Sequence, residues 1–251
     1  MKTEKQAIIF SSTQENNLQK ELFDHFKNAP LPEDELLANL GLFLTSKNLS
    51  RLLFFCELYK KIIRQHGIIV EFGTRWGQLL TLMSVLRGIY EPFNRQRKVV
   101  GFDTFEGHKG LSVEDGPRSE SADGGYGVSA GYEQYLDRLL YLHEQLNPAA
   151  HIKKYEVIKG DATQTVPAYL ERHPETIVAL AVFDFDIYKP TKTALDCIRP
   201  RLTKGSILVF DELCDELFPG ETVALQETFG LNNVRLKRLP FAARLSYLEI
   251  E

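Results

Sequence analysis

The sequence predicts an α/β fold: a doubly wound sheet of seven mostly parallel strands with helices on both faces. Two observations lead to this prediction. After Gly67, short apolar or β-branched runs alternate with helix-like segments, the pattern of parallel strands joined by crossover helices. The last two strand-like runs, NNVRLKRL and ARLSYLEIE, have no helix between them. We therefore expect a C-terminal hairpin that places one antiparallel strand in the sheet.

The elements follow one another regularly along the chain. The strand-like runs before the hairpin are IIVEFG (68–73), KVVGFD (98–103), KKYEVIKGD (153–161), TIVALAVFDFD (176–186) and GSILVFDE (205–212). The helix-like segments after the successive strands are QLLTLMSVLRGIY, GYEQYLDRLLYLHEQL, TVPAYLERH, PTKTALDCIRPRL and GETVALQETFG. This alternation is typical of a Rossmann-like sheet.

The segment before Gly67 has a different pattern. Residues 14–66 carry apolar side chains at helical spacing, interrupted by Pro30 and Pro32 and ending at Gly67, a suitable C-cap. A chain of 251 residues has room for one large domain with an extension. We expect a helical N-terminal extension or cap over residues 1–66 and one α/β domain over residues 67–251.

Composition argues against several classes of protein. A net charge of -4 gives no basic footprint for nucleic acid. No run approaches the roughly 18 apolar residues of a membrane span, and AIIF near the start is too short for a signal-peptide core. Three distant cysteines give neither a disulfide framework nor metal spacing. We expect a cytoplasmic protein that binds neither nucleic acid nor membrane.

Acidic residues end every predicted parallel strand: Glu71, Asp103, Asp161, Asp184 and Asp211. In open α/β sheets, ligands bind beyond the carboxyl ends of the strands, near the point where the strand order reverses. A carboxylate is costly to bury unless it is paired, hydrogen-bonded or bound to a metal. The sequence therefore predicts a ligand site at this edge of the sheet.

The first strand end, EFGTRWG, argues against a dinucleotide. Arg75 and Gln78 stand where G-x-G-x-x-G requires its second and third glycines. Asp103 has the acceptors for two ribose hydroxyls, and Asp161 has one for an adenine amine. These features suit an adenosine that carries a cationic group and no phosphate, which is the form of S-adenosylmethionine. The candidate cofactor-binding residues are Glu71, Gly73, Thr74, Trp76, Gly77, Asp103, Thr104, Phe105, Gly160, Asp161, Ala162 and Asp184.

The fourth and fifth strand ends suggest a metal site. If these strands are neighbours, Asp184, Asp211 and Glu212 converge as three hard oxygen ligands for Mg²⁺ or a similar ion. Alternatively, Asp211 or Glu212 caps a turn, or Asp184 accepts hydrogen bonds from backbone amides. Asp186 lies two residues beyond Asp184 and shares its face if the strand persists. It is the candidate general base for a substrate hydroxyl.

A long polar, glycine-rich segment, residues 106–131, interrupts the pattern after the second strand. Segments of this length in a compact domain tend to be lids, binding loops or disordered. His108 lies in it and is the alternative base, although a lone histidine in a loop is more often solvated.

Five stretches together resemble a known family. VEFGTRWGQ, VGFDTFEG, VIKGDA, FDFDIYKPTKTAL and GSILVFDE resemble the class I S-adenosylmethionine-dependent methyltransferases, and among them the macrocin O-methyltransferase (TylF/MycF-type) family. The resemblance runs from about Ile68 to the C-terminus. It implies O-methylation of a sugar hydroxyl in a natural product or nucleotide-linked deoxysugar, with a small-molecule sugar or glycoside acceptor.

The resemblance also implies roles for individual residues. Asp184, Asp211 and Glu212 would hold magnesium, and Asp186 would be the general base. The family usually has a second aspartate where this chain has Glu212, and commonly a glycine where it has Phe185. The first difference puts that ligand in doubt, and the second suggests a reshaped acceptor pocket.

Three other functions remain open at this point. They are a metal-dependent catechol or caffeoyl-CoA O-methyltransferase, a non-catalytic S-adenosylmethionine-binding subunit and a Rossmann oxidoreductase. The missing G-x-G-x-x-G pattern argues against the last of these. The apolar N-terminal helices lead us to expect a homo-oligomer.

Overall fold

The computed structural model describes residues 12–116, 124–242 and 244–251. The chain divides into two compact units, Met1–Leu53 and Phe54–Glu251. The first unit contains α1 (Thr13–Lys27), two short 3-10 helices (Glu33–Glu35 and Leu40–Phe43) and the start of α2 (Ser46–Ile62). The boundary between the units falls inside α2, whereas the sequence predicted a division after residue 66.

Local signals explain the helices of the first unit. Ser12 accepts a hydrogen bond from the Glu15 amide, and the Glu15 carboxylate accepts one from the Ser12 amide. This capping box satisfies two amides that the first turn of α1 leaves without helical partners. Phe26 at the end of α1 packs edge-on against Phe43, with ring centroids 5.1 Å apart. The helical pattern predicted for this region is confirmed.

The second unit is built on one mixed sheet in the order β3-β2-β1-β4-β5-β6. Strands β1 to β5 are parallel, and β6 is antiparallel to β5. The strands are β1 (Ile68–Phe72), β2 (Val99–Asp103), β3 (Tyr155–Lys159), β4 (Val178–Phe183), β5 (Leu202–Phe210) and β6 (Ser246–Glu249). The helices are α3 (Gln78–Tyr90), α4 (Tyr132–Gln145), α5 (Ala162–Arg172), α6 (Tyr188–Ile198) and α7 (Gly220–Phe229). No helix within the described ranges has the length and apolar character to span a bilayer.

The sheet has six strands, so the prediction of seven was wrong. The run NNVRLKRL contributes only one antiparallel bridge, in which Lys237 and Tyr247 exchange backbone hydrogen bonds of 2.7 and 2.8 Å. None of its residues is buried, and Leu236 is 44% exposed. Its apolar residues Val234 and Leu239 are only partly buried, so little apolar burial supports pairing beyond that bridge. The other arm of the predicted hairpin forms β6, so the antiparallel strand is confirmed.

The core lies on both faces of the sheet, as the doubly wound pattern predicted. Every residue of β1 and β4 is buried, which explains why these strands read as continuous apolar runs. Successive residues of β1 enter different cores: Ile69 packs with residues of α2, α3 and α4, and Val70 with residues of α5, α6 and α7. The strand order reverses between β1 and β4, and this point faces the predicted site.

A buried ion pair joins the end of α2 to the strands. Arg97 is 1% exposed and donates to the Glu91 carboxylate from Nε at 2.8 Å. Tyr59 on α2 donates to the same carboxylate at 2.7 Å. The Arg97 guanidinium also donates to the carbonyl oxygens of Ile62, Gln65 and Gly67. Because Tyr59 and the three carbonyl groups lie where α2 leads into β1, while Glu91 follows α3, this network ties the entry of α2 into the sheet to the end of α3.

Replacing Glu91 by glutamine should lower the free energy of unfolding by about 3 kcal/mol, because Arg97 then stays buried without a counter-charge. Urea unfolding followed by circular dichroism measures the change. The matched control is Glu57→Gln, which removes an exposed pair with Lys60 and should leave the unfolding midpoint unchanged. Equal midpoints for the two variants would show that the buried network does not stabilise the fold.

Candidate active site

The candidate site lies where β1 and β4 end side by side. The loop Gly73–Gly77 follows β1 and leads into α3, and residues 184–187 follow β4 and lead into α6. Gly73 has φ of +98°, and a Cβ atom there would lie 1.9 Å from the carbonyl oxygen of Asp184. The two loops thus touch through their backbones, which only glycine permits.

Protein atoms fill the space beside both glycines of the first loop. Gly77 has φ of +72° at the start of α3, and a Cβ atom there would lie 2.3 Å from a methyl carbon of Leu136 on α4. Gly77 thus accommodates helix α4, and Gly73 accommodates the neighbouring strand end.

Asp103 ties the first two strand ends together. Its Oδ2 accepts a hydrogen bond from the Arg75 amide at 2.7 Å, and its Oδ1 accepts one from the Phe105 amide at 2.5 Å. Burial raises the pKa of the Asp103 carboxyl, and the two amides oppose that rise. Each carboxylate oxygen can accept more than one hydrogen bond, so Asp103 keeps acceptor capacity for a ligand hydroxyl.

The third strand end is positioned by a helix cap. Oδ1 of Asp161 accepts hydrogen bonds from the amide and hydroxyl of Thr163, which caps α5, and the side chain is exposed. The Gly160 amide donates to the Asp103 carbonyl at 2.9 Å, which joins this turn to β2. Ala162 is buried in the first turn of α5.

The remaining predicted cofactor residues are distributed around these ends. Glu71 is 4% exposed within β1. Thr74 is buried, and its hydroxyl has no hydrogen-bond partner among the described residues. Trp76 is partly exposed and packs edge-on against Tyr132, with centroids 4.7 Å apart. The Thr104 hydroxyl donates to the Gly107 carbonyl at 2.8 Å, and Phe105 is buried.

The residues after β4 leave the strand at once. β4 ends at Phe183, and Asp186 adopts a left-handed backbone with φ of +63°. The turn, and not strand alternation, therefore sets the position of Asp186 relative to Asp184. Phe185 is partly buried and packs against the core, with its ring centroid 5.8 Å from that of Phe72. This packing accommodates the large side chain between the two aspartates.

Carboxyl groups gather at the ends of β4 and β5. Burial raises the pKa of Glu212 to about 8, the charges of Asp211 and Asp186 add to the rise, and Arg244 opposes it. Glu221 on α7 is fully buried, and its Oε2 accepts a hydrogen bond from the Glu212 amide at 3.2 Å. Burial raises its pKa well above the usual range, with the charges of Asp186, Asp184 and Asp211 contributing.

Glu221 did not emerge from the sequence. It lies in the helix-like segment GETVALQETFG, where an acidic residue in the first turn is an ordinary feature of a helix N-terminus. Only the packing of α7 against the strand ends reveals that this carboxyl group belongs to the acidic cluster.

The carboxyl groups at the ends of β4 and β5 suit a hard divalent cation in chemistry and charge, but they are not arranged as a ready-made metal site. Carboxylate oxygens are the ligands that such ions prefer, and Oε1 of Glu221 is buried without a hydrogen-bond partner in the described parts of the chain. Glu212, however, is paired with Arg244, whose guanidinium also lies 3.1 Å from Asp215. Within residues 12–116, 124–242 and 244–251, no three His, Cys, Asp or Glu side chains are grouped as a metal site.

His108 contacts Asp186, one of the carboxyl groups at the strand ends, which together form the acidic rim of the site. The expectation of a solvated histidine was therefore wrong. Its Nε2 is 3.2 Å from Oδ2 of Asp186, and the two side chains are only 10% and 12% exposed. The His108 ring stacks at an angle on Tyr126, with centroids 5.1 Å apart. The Arg75 guanidinium lies over the same tyrosine at 4.9 Å.

The segment that carries His108 is anchored in the fold. Asp115 is 2% exposed, and its Oδ1 accepts a hydrogen bond from the Tyr188 amide at 2.6 Å, in the first turn of α6. Its Oδ2 accepts one from the Ser112 amide at 2.8 Å. Of the predicted loop 106–131, residues 117–123 lie outside the described residues. The described part on the N-terminal side of that gap is folded onto the site.

Solved structures with the same architecture are known. Neither protein-family models nor curated proteins give a match to the chain. The crystal structure of CalS11, described as a calicheamicin methyltransferase, is 39% identical, with a TM-score of 0.92 over 99% of this chain and 97% of that one. An apo structure of CalS11, described as a TDP-rhamnose 3'-O-methyltransferase, is 38% identical, with a TM-score of 0.85 over 96% of each chain.

This chain belongs to the class I S-adenosylmethionine-dependent O-methyltransferases. The 39% sequence identity to CalS11 covers nearly the whole length of both proteins. This methyltransferase therefore shares both the family and the fold of CalS11. The O-methyltransferase NovP, at 17% identity and a TM-score of 0.60 over 80% of the chain, shows the fold alone. The resemblance found in the sequence motifs is confirmed, and the oxidoreductase alternative is excluded.

In the methyltransferase, Gly73→Ala should lower the free energy of unfolding by more than about 4 kcal/mol, because the new methyl group overlaps the Asp184 carbonyl. Gly131→Ala is the matched control, since Gly131 has φ of +76° and no atom within 4 Å of its Cβ position. That variant should lose only the cost of the left-handed backbone, about 1 to 3 kcal/mol. Urea denaturation measures both variants, and equal losses would contradict the close-contact argument.

Proposed function

We propose that this enzyme transfers the methyl group of S-adenosylmethionine to a hydroxyl of a deoxysugar that is linked to a nucleotide or to a natural product. One observation carries the proposal. The chain is 38–39% identical to CalS11 over nearly the full length of both proteins, and CalS11 is described as a TDP-rhamnose 3'-O-methyltransferase. A polar rim with Asp186, His108 and Arg75 suits an acceptor rich in hydroxyl groups.

The methyl donor is proposed to bind across the ends of β1, β2 and β3. Asp103 would accept hydrogen bonds from the ribose hydroxyls, and Asp161 would accept one from the adenine amine. The loop Gly73–Gly77, with Thr74 and Trp76, would follow the amino-acid part of the donor. The buried hydroxyl of Thr74 supports this assignment, because it has no partner among the described residues and a buried polar group is normally satisfied.

Methyl transfer requires the protein to align the two substrates and to remove a proton from the acceptor hydroxyl. The sulfonium already activates the methyl carbon, so the acceptor oxygen must be held in line with the carbon–sulfur bond and made more basic. Asp186 stands beyond β4, next to the crevice between β1 and β4, and is proposed to take part in removing the proton. The anchored segment around His108 and Tyr126 would enclose the acceptor and limit the access of water.

Magnesium is proposed as a second cofactor, held by Asp184, Asp211 and Glu212. When bound, such an ion lowers the pKa of a coordinated hydroxyl group. Support comes from the carboxyl groups gathered at the rim, where burial and, to a lesser extent, the neighbouring carboxylates raise the pKa values of Glu212 and Glu221. For Glu212 to serve as a ligand, its carboxylate must exchange Arg244 for the ion.

Calorimetry with S-adenosylhomocysteine and a methyl-transfer assay test the proposed function. The protein should bind S-adenosylhomocysteine and should add one methyl group to TDP-rhamnose in the presence of S-adenosylmethionine, as read by mass spectrometry. Catechol and caffeoyl-CoA are the comparison acceptors. Methylation of either of these with none of the sugar would overturn the sugar assignment, and failure to bind S-adenosylhomocysteine would contradict the donor site.

Magnesium should raise the melting temperature more at about pH 9 than at about pH 6. Glu212 must lose its proton before it can bind the ion, so ion binding strengthens as pH rises through the pKa of this group, about 8. Differential scanning fluorimetry with magnesium or EDTA measures the shift without an acceptor. Glu212→Gln, which cannot titrate, should reduce this difference, and identical wild-type shifts at both pH values would argue against the ion at this site.

A further inference from the structure

We propose that Nδ1 of His108 is the atom that takes the proton from the acceptor hydroxyl, and that Asp186 is a positioning residue that fixes the tautomer of this histidine. The inference rests on the proposed methyl transfer and deepens it, because it names the base. It replaces direct proton removal by Asp186.

The contact between the two side chains fixes the position of the histidine proton. Oδ2 of Asp186 lies 3.2 Å from Nε2 of His108. An ionised carboxylate only accepts hydrogen bonds, so Nε2 must carry the hydrogen. In the neutral ring, Nδ1 is then left with its lone pair and is the nitrogen available to take a proton.

Nδ1 of His108 is free to accept a hydrogen bond from a substrate. It is buried and has no hydrogen-bond partner among the described residues, and the His108 side chain as a whole is 10% exposed. Buried polar atoms are normally paired, and exceptions occur at catalytic positions. A substrate hydroxyl is the kind of group that both satisfies this nitrogen and gives it a proton.

The backbone holds His108 in place. Its amide donates to the Gly125 carbonyl at 3.0 Å, and its carbonyl accepts from the Gly124 amide at 2.9 Å. At Gly107, a Cβ atom would lie 2.3 Å from the Gly125 carbonyl oxygen. Two backbone hydrogen bonds and a close approach that requires glycine therefore define the path of the chain next to the histidine. Such rigidity is what a general base needs.

Charged and aromatic side chains surround His108. Asp186 touches the ring, and the charge of Asp103 interacts with it. Tyr126 stacks on the ring, and Arg75 lies over that tyrosine. The ring therefore lies among two carboxylates, an aromatic ring and, beyond that ring, one guanidinium.

The proposed step balances in atoms and charge. The acceptor O–H bond breaks, and its proton moves to Nδ1 of His108. The oxygen forms a bond to the methyl carbon as the carbon–sulfur bond breaks, and the electron pair of that bond stays on sulfur. The products are the methyl ether, neutral S-adenosylhomocysteine and an imidazolium that returns its proton to water before the next turnover.

Two variants separate the roles of the pair. His108→Gln keeps a side-chain N–H donor for Asp186 but has no basic nitrogen, so kcat should fall by about 100-fold or more while S-adenosylhomocysteine binds as in the wild type. Asp186→Asn offers Nε2 an N–H donor and should move the ring proton to Nδ1, with a similar loss of kcat. The control is His173→Gln, at a partly exposed histidine that is paired with Glu175 at the far end of α5, which should leave kcat unchanged.

The experiment reads the tautomer and the rate together. ¹⁵N NMR of the ring nitrogens should show Nε2–H in the wild-type complex with S-adenosylhomocysteine and Nδ1–H in Asp186→Asn. A wild-type ring protonated at Nδ1, or a His108→Gln enzyme with near-normal kcat, would overturn the proposal and return the base to Asp186. If the wild type methylates no deoxysugar, the proposed function fails, and the NMR signal still decides the tautomer.

Discussion

The contact between the backbones of the first and fourth strand ends is the constraint on which the site depends. Gly73 and the Asp184 carbonyl approach so closely that no side chain fits between them. The loop Gly73–Gly77 is held beside Asp103, whose carboxylate accepts a hydrogen bond from the Arg75 amide. The turn that carries Asp186 begins beside that loop. Every later feature of the rim is placed relative to this junction.

Much of the architecture is determined by patterns that a single sequence displays. Continuous apolar runs identify the central strands because both of their faces are buried, and strand alternation with helices leaves few topologies. The acids at the strand ends were predictable for the same reason, since parallel strands bring their carboxyl ends to one edge. The seventh strand was wrong because NNVRLKRL has strand-like residues but buries none of them, and burial is not visible in local composition.

The groups that surround Asp186 were harder to predict because long-range packing brings them together. Glu221 reaches the rim from α7, and Arg244 reaches it from the segment before β6. His108 and Tyr126 come from opposite ends of a segment whose sequence suggests only a polar loop. No spacing rule relates these residues to Asp186, so the sequence supplied the nearby acids but not the groups that surround them.

The buried carboxylate of Asp115 makes the His108 segment and helix α6 a single cooperative unit. Ile187 has no side-chain oxygen with which to cap α6, and Asp115 supplies the acceptor from more than seventy positions earlier in the chain. Releasing the segment would therefore uncap the helix, and fraying the helix would release the segment. We therefore expect the His108 segment and the turn that carries Asp186 to open together, with the stability of a helix end and not that of a free loop.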